Sequence, residues 1–254
     1  MSENKRRKFH IPILHQDDHI IAISKPAGLL TLPDRYDASL PHAQQLLEPQ
    51  WGRLYPVHRL DKDTSGVLIF ARTPEAHHLL NEQFSARKVH KTYHTLVKGE
   101  PEWETIKAQF PLRSAGDRRH RTRIDMKMGK PAETHFEVLE RLGPFALIAA
   151  SPITGRTHQI RVHAAALGYP IVADPLYGDG EPLFLSAFKR NYRPTQTAER
   201  PLIERTALHA YQTTFQHPAT EEPLTITAPY PKDFKAALNQ LRKWTSPSKR
   251  LSGQ

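Results

Sequence analysis

The 254-residue sequence contains no cysteine. That absence excludes disulfides, thiolate nucleophiles and every zinc site built on sulfur, and it suits a reducing compartment, so a cytoplasmic location is expected. Long apolar runs are missing too. Nowhere do about 18 apolar residues follow one another, the length a spanning helix requires, and the basic start Lys5-Arg6-Arg7-Lys8 leads into no hydrophobic segment, so no membrane partner is expected. Acidic charge is scarce, with 26 Asp and Glu against 36 Lys and Arg, a net charge of +10 and a pI near 9.8. The imbalance favours a polyanionic partner, because each neutralised phosphate releases counterions whatever the base sequence. Nucleic acid is the first candidate, and a merely solvated basic surface the plainer alternative. A glycine-rich phosphate loop and an Asp-Phe-Gly motif are also absent. Phosphoryl transfer of the kinase or P-loop type is thereby excluded.

The sequence does hold enough apolar residues, 38%, for a proper core. No repeat is present and the 22 prolines are scattered, which points to a basic arm over 1–10, one catalytic body over 11–244 and a tail without order over 245–254. A strand is expected at 20–24, stopped by Lys25-Pro26-Ala27-Gly28, and a strand buried on both faces at 67–71. Thr73 and Pro74 mark the start of a helix running to about residue 88. Further strands are predicted at 93–98, 133–140, 145–151, 207–217 and 224–228, and helices at 157–167, closed by Gly168, and 232–244. This pattern is an α+β fold with a mixed, largely antiparallel sheet and flanking helices. Two stretches read as excursions from the core. The first, 113–130, sets Arg113, Arg118, Arg119, Arg121, Arg123, Lys127 and Lys130 against Asp117 and Asp125; the second is 181–204.

Chemistry-bearing residues concentrate in two places. The segment His58-Arg59-Leu60-Asp61-Lys62-Asp63-Thr64-Ser65-Gly66 gathers two carboxylates, cations and hydroxyls just before the buried strand, where loops commonly carry function. Asp61 and Asp63 also suit turn-capping, or the carboxylate pair of a glycosidase. Downstream, Gly155-Arg156-Thr157-His158-Gln159-Ile160-Arg161-Val162-His163 places His158 and Arg161 on one polar helical face, opposite a packed one. Fifteen histidines invite a metal reading, but His158 and His163 are spread across the helix and no His-Glu-x-x-His pattern occurs. No metal site is expected.

Taken together, the motifs resemble a known family. His58-Arg59-Leu60-Asp61 followed by Thr64-Ser65-Gly66 is similar to the central motif of the RluA-type RNA pseudouridine synthases. Lys25-Pro26-Ala27-Gly28-Leu29, Lys91-Thr92-Tyr93, Gly155 to His163, Asp174-Pro175-Leu176-Tyr177-Gly178 and Leu208-His209-Ala210 resemble its other motifs, in the same order. Many relatives begin with an S4 RNA-binding domain, for which the stretch before the first strand is too short here.

The resemblance implies a central active-site cleft and isomerisation of uridine to pseudouridine, which needs neither metal nor organic cofactor. Asp61 would be the catalytic carboxylate. Arg161 would be its cationic partner, and a fixed cation favours a carboxylate anion. Tyr93 would lie against the uracil, Leu208 opposite, with His58 and Arg59 beside the substrate and Arg59 filling the space left by an extruded base. Arg119 and Arg121 are expected to meet RNA phosphates. The implied partner is structured RNA, a tRNA or rRNA stem-loop, with no obligatory protein partner and a monomeric enzyme. An inactive RNA-binding or RNA-folding protein on the same architecture is the alternative.

Overall fold

The structure, a computed structural model, describes residues 9–114, 121–193 and 198–245. Residues 1–8 of the basic arm, Arg118, Arg119 and the tail beyond Thr245 lie outside these. Along the chain come β1 (Ile13–Gln16), β2 (Ile20–Lys25), α1 (Ala43–Trp51), β3 (Tyr55–Pro56), β4 (Ser65–Ala71) and α2 (Pro74–Ser85). They are followed by β5 (His90–Lys98), β6 (Thr105–Ala108), β7 (Leu112–Arg113), β8 (Arg123–Ile124), β9 (Thr134–Leu142) and β10 (Phe145–Pro152). The chain ends with α3 (Gln159–Ala166), β11 (Leu208–Gln216), β12 (Pro223–Thr227) and α4 (Lys232–Thr245).

Two compact units result. The first takes the chain to Val89 together with Gln212–Pro229, and the second takes His90–Tyr211 and the chain from Tyr230. In the first unit β2 pairs antiparallel with β1 and β4, β3 with β4, and β12 with β11. All seven residues of β4 are buried, as its uninterrupted apolar run requires. One face of that sheet, Ile20, Ala22, Val67, Ile69 and Ala71, packs with Ala76 and Leu80 of α2. Thr73 fixes the start of α2 by accepting the Ala76 amide on its hydroxyl at 3.1 Å. Each fully buried Ile or Leu contributes about 1.5–3 kcal/mol, so this layer gives β4 a rigid floor.

The second unit is a sheet in which β10 pairs antiparallel with β5 and β9, and β9 with β6. Leu96, Phe136, Ala146, Ile160 and Ala164 share a core with Phe234, Ala237, Leu238 and Leu241 of α4. β7 and β8 form a separate hairpin within the basic excursion. The second excursion is anchored at its base, where buried Leu183 and Ile203 bridge and Phe188 meets Phe145 edge-on at 6.1 Å.

Three expectations need correction. The helix after Gly155 starts at Gln159, not Thr157, because His158 takes left-handed backbone (φ 54°) and breaks the helical path. Its expected polar face is not solvated: residues 159–164 are all buried, and its polar side chains bond inside the protein. α2 stops at Ser85, before Ala86 and the left-handed Arg87.

Candidate active site

In the first unit the segment around Asp61 is held by its backbone. The Thr31 hydroxyl donates to the Leu60 carbonyl at 3.0 Å and accepts the Leu60 amide at 3.1 Å. Beyond Asp61, the Lys62 carbonyl accepts both the Gly28 amide (2.9 Å) and the Lys25 ammonium (3.0 Å). The Thr64 amide closes a turn on the Asp61 carbonyl at 3.1 Å. Leu60 is buried, Asp61 half-buried, and Arg59, Lys62 and Asp63 exposed. The carboxylate is thus presented from a pinned loop, which costs no further ordering when a substrate arrives.

Lys25 explains why this motif opens with lysine. The side chain is fully buried and its ammonium donates to the carbonyls of Leu29 (2.7 Å), Pro26 (3.0 Å) and Lys62 (3.0 Å). A buried ammonium is costly unless its donors are matched, and three carbonyls match three donors. Gly28 (φ 81°) lets the chain double back so that these carbonyls converge. His58 serves the same loop: its Nε2 accepts the Ile69 amide of β4 at 3.0 Å and its ring stacks on Phe84. An accepting Nε2 places the ring proton on Nδ1.

In the second unit Arg161 is 7% exposed, and its guanidinium grips Asp174 in a fork, Nε to Oδ2 at 2.6 Å and Nη2 to Oδ1 at 2.7 Å. Asp174, wholly buried, also accepts the amides of Leu176 and Tyr177 on Oδ1. The Tyr177 ring lies 5.1 Å from the guanidinium carbon. Its hydroxyl accepts the Thr122 amide at 2.9 Å and is shared with His158 Nδ1 at 2.9 Å. Burial, the largest influence, raises the Tyr177 pKa above the usual phenol value, so the hydroxyl stays protonated at neutral pH. The Asp174-to-Gly178 motif therefore sets the plane of Arg161, a partnership the sequence reading missed although both residues stood in quoted motifs. His158 and Arg161 do converge, on Tyr177 rather than along a helical face.

Tyr93 is half-buried on β5, opposite Ala150 of β10. Its neighbour His94 projects to the other face, where it stacks on Tyr211 at 4.0 Å and its Nδ1 meets the Tyr230 hydroxyl at 2.5 Å. Burial pushes His94 down to about 4; burial first, then Tyr211, raises Tyr230 to about 12. A neutral imidazole accepting from a phenol backs the strand at Tyr93. Leu208 is 3% exposed, and the Arg205 guanidinium, paired with Asp233 at 2.7 Å, also donates to the Thr206 and Leu208 carbonyls. Arg121 is the first described residue of the later part of the basic excursion, 121–130. Among the described residues no group of three histidines, aspartates or glutamates is placed to hold a metal ion, and no helix is long and apolar enough to cross a membrane.

Comparison with known proteins agrees with the class these motifs define. The family model described as RNA pseudouridylate synthase matches residues 19–166. The dual-specificity RNA pseudouridine synthase RluA of Pasteurella multocida is 37% identical over 87% of this chain and 93% of its own length. The ribosomal large subunit pseudouridine synthase D of Xanthomonas campestris is 39% identical over 91% of this chain and 69% of its own. Among solved structures, human RNA pseudouridylate synthase domain containing 4 superposes with a TM-score of 0.68 at 26% identity, covering 91% of this chain and 93% of its own. The chain belongs to the RNA pseudouridine synthases, and within them to the RluA-type family.

Proposed function

We propose that this enzyme converts specific uridines of structured RNA, a tRNA or rRNA stem-loop, to pseudouridine, with Asp61 as the catalytic carboxylate. The observation that carries the reading is the loop itself: a half-buried carboxylate held by fixed backbone on both sides, at the position of the family's aspartate. In the reaction the bond from uracil N1 to ribose C1′ breaks, the base turns, and C5 bonds to C1′. The proton on C5 leaves, N1 gains one, and no electrons are exchanged with a third party. An ionised Asp61 can begin this by attacking C1′, adding to C6 or taking the C2′ proton.

Tyr93 is assigned to the uracil face with its hydroxyl available for proton transfer, Leu208 to the other face, and Arg161 to the carboxylate. The Asp174 fork supports that last assignment, because a guanidinium with its plane already set loses little entropy on meeting a further anion. Arg59, exposed beside Asp61, is assigned to the space vacated when the nucleotide is flipped, a step costing a few kcal/mol. His58 is assigned to the substrate side through its hold on the loop. Arg119 and Arg121 are assigned to backbone phosphates, which position RNA without reading its sequence. The enzyme acts as a cytoplasmic monomer without a protein partner. The test is isotopic: tritium at uracil C5 is released once per turnover, and wild-type protein should release it from a deficient RNA in step with pseudouridine formation. Free uracil in its place would identify a hydrolase.

A further inference from the structure

Beside Tyr177, within the second unit, lies a pocket of about 530 Å³, inside the roughly 300–1,000 Å³ range of small-molecule sites. Its apolar wall comes from Val162, Ala165 and Ala166 of α3 and from Ile124 of β8. The side chains on the helix are short, which leaves a low surface on which a planar ring can lie. Arg121 and Arg123 also line it. The segment that carries them is fixed at two points. The Thr122 amide between the arginines is bonded to the Tyr177 hydroxyl, and the Asp125 carboxylate, which draws Arg113 and Arg123 together at 3.5 and 3.6 Å, also accepts the Lys127 and Met128 amides.

We infer that this pocket binds a second nucleotide of the RNA substrate, its base against the α3 wall and its phosphate on Arg121 and Arg123. The inference rests on the reading of the substrate as RNA and names a subsite apart from the one that holds the target uridine. The chemistry selects this ligand. A base offers a flat apolar face and its tetrahedral phosphate two non-bridging oxygens, which match an alanine-lined surface and a guanidinium fork. The site also has a direct line to the chemistry, because the wall residue Tyr177 lies under Arg161. A nucleotide seated here presses on the residue that sets the Arg161 guanidinium.

An abasic scan tests this with a short synthetic RNA stem-loop carrying unpaired uridines and its single-abasic derivatives, each titrated against wild type and Ala166→Trp. Ala166 is exposed on α3, so the indole can fill the pocket without disturbing the core, and thermal unfolding checks that the fold survives. One loop position is expected at which removing the base weakens wild-type binding at least about fivefold, the lower end of what a stacked base contributes, and leaves Ala166→Trp unaffected. Arg123→Gln, an exposed change that keeps the fold, should lower affinity and reduce the salt slope by about 0.7, one phosphate on a single strand. A flat scan, an identical scan in both proteins, or an unchanged salt slope would overturn the pocket. The scan reads binding alone, so failure of the wild-type protein to form pseudouridine would count against the proposed function and leave this result standing.

Discussion

At the scale of single residues, two buried charges decide how the site is held. Removing the Lys25 ammonium leaves the carbonyls of Pro26, Leu29 and Lys62 without their shared donor, and a buried acceptor left unmade costs about 1–3 kcal/mol. Lys25→Met should therefore lower unfolding stability by about 3 kcal/mol in urea titration and slow single-turnover chemistry at saturating RNA, because the Lys62 carbonyl keeps only its bond from the Gly28 amide. A variant that is destabilised yet turns over at the wild-type rate would show that the clamp serves the fold alone. Asp174→Asn leaves Arg161 buried without its forked counter-ion, which typically costs about 3–5 kcal/mol. In the double variant Arg161→Met/Asp174→Asn part of that stability should return while turnover stays low. Recovery of both together would make the pair structural only.

His94 supplies a pH test. Its folded value of about 4 lies below the ordinary imidazole value of 6.5, so the unfolded chain binds the proton more readily. Stability present above about pH 6.5 is therefore lost as pH falls towards 4, and none of this loss comes from alkaline titration. His94→Asn should narrow the drop in urea midpoint between about pH 7 and pH 5 relative to wild type. An equal drop in both proteins would mean that other histidines, such as the buried His163, carry it.

At the scale of elements, what could be read in the sequence depended on how local its cause was. β4 announces itself by an unbroken apolar run, α2 by Thr73-Pro74, and α4 by Phe234, Ala237, Leu238 and Leu241 at helical spacing. α1 was missed because its signals are unusual: its cap is His42, whose Nδ1 accepts the Gln45 amide, and Pro49 stands inside the last turn. β1 and β6 are four-residue strands whose pairing with β2 and β9 gives little signal in their own sequence. Asp61 and Arg161 were legible as motif positions, whereas their supports were not. Thr31 lies 29 residues from Leu60, Lys25 lies 37 from Lys62, and Thr122 lies 55 from Tyr177, separations that no local pattern encodes.

The basic hairpin gives the element-scale prediction. A Cβ added at Gly129 would stand 2.3 Å from the Asp125 carbonyl oxygen and 2.7 Å from the Pro111 carbonyl carbon, both backbone atoms that cannot move aside alone. Gly129→Ala should therefore shift the 125–129 turn and, through Asp125, the Arg123 side chain. Weaker RNA binding with a nearly unchanged global unfolding midpoint is expected, since β7 and β8 pair with each other outside the strand pairings of either unit's main sheet. Unchanged RNA affinity would remove the turn from recognition.

At the scale of the whole molecule, two compact units share one chain with a net charge of +10, and each carries part of the proposed machinery. The first presents Asp61 from a clamped loop; the second holds Arg161 by Asp174 and backs Tyr93 with an aromatic layer. The catalytic assignment to Asp61 is the claim on which the roles given to Tyr93, Arg161 and Leu208 depend. The most direct test is single-turnover release of tritium from C5-labelled RNA by Asp61→Asn, a change that keeps the side chain's shape and removes its charge. The Asp61→Asn protein should fold, bind the RNA with near wild-type affinity and release no tritium above background. Release at a near-normal rate by the folded variant would contradict it.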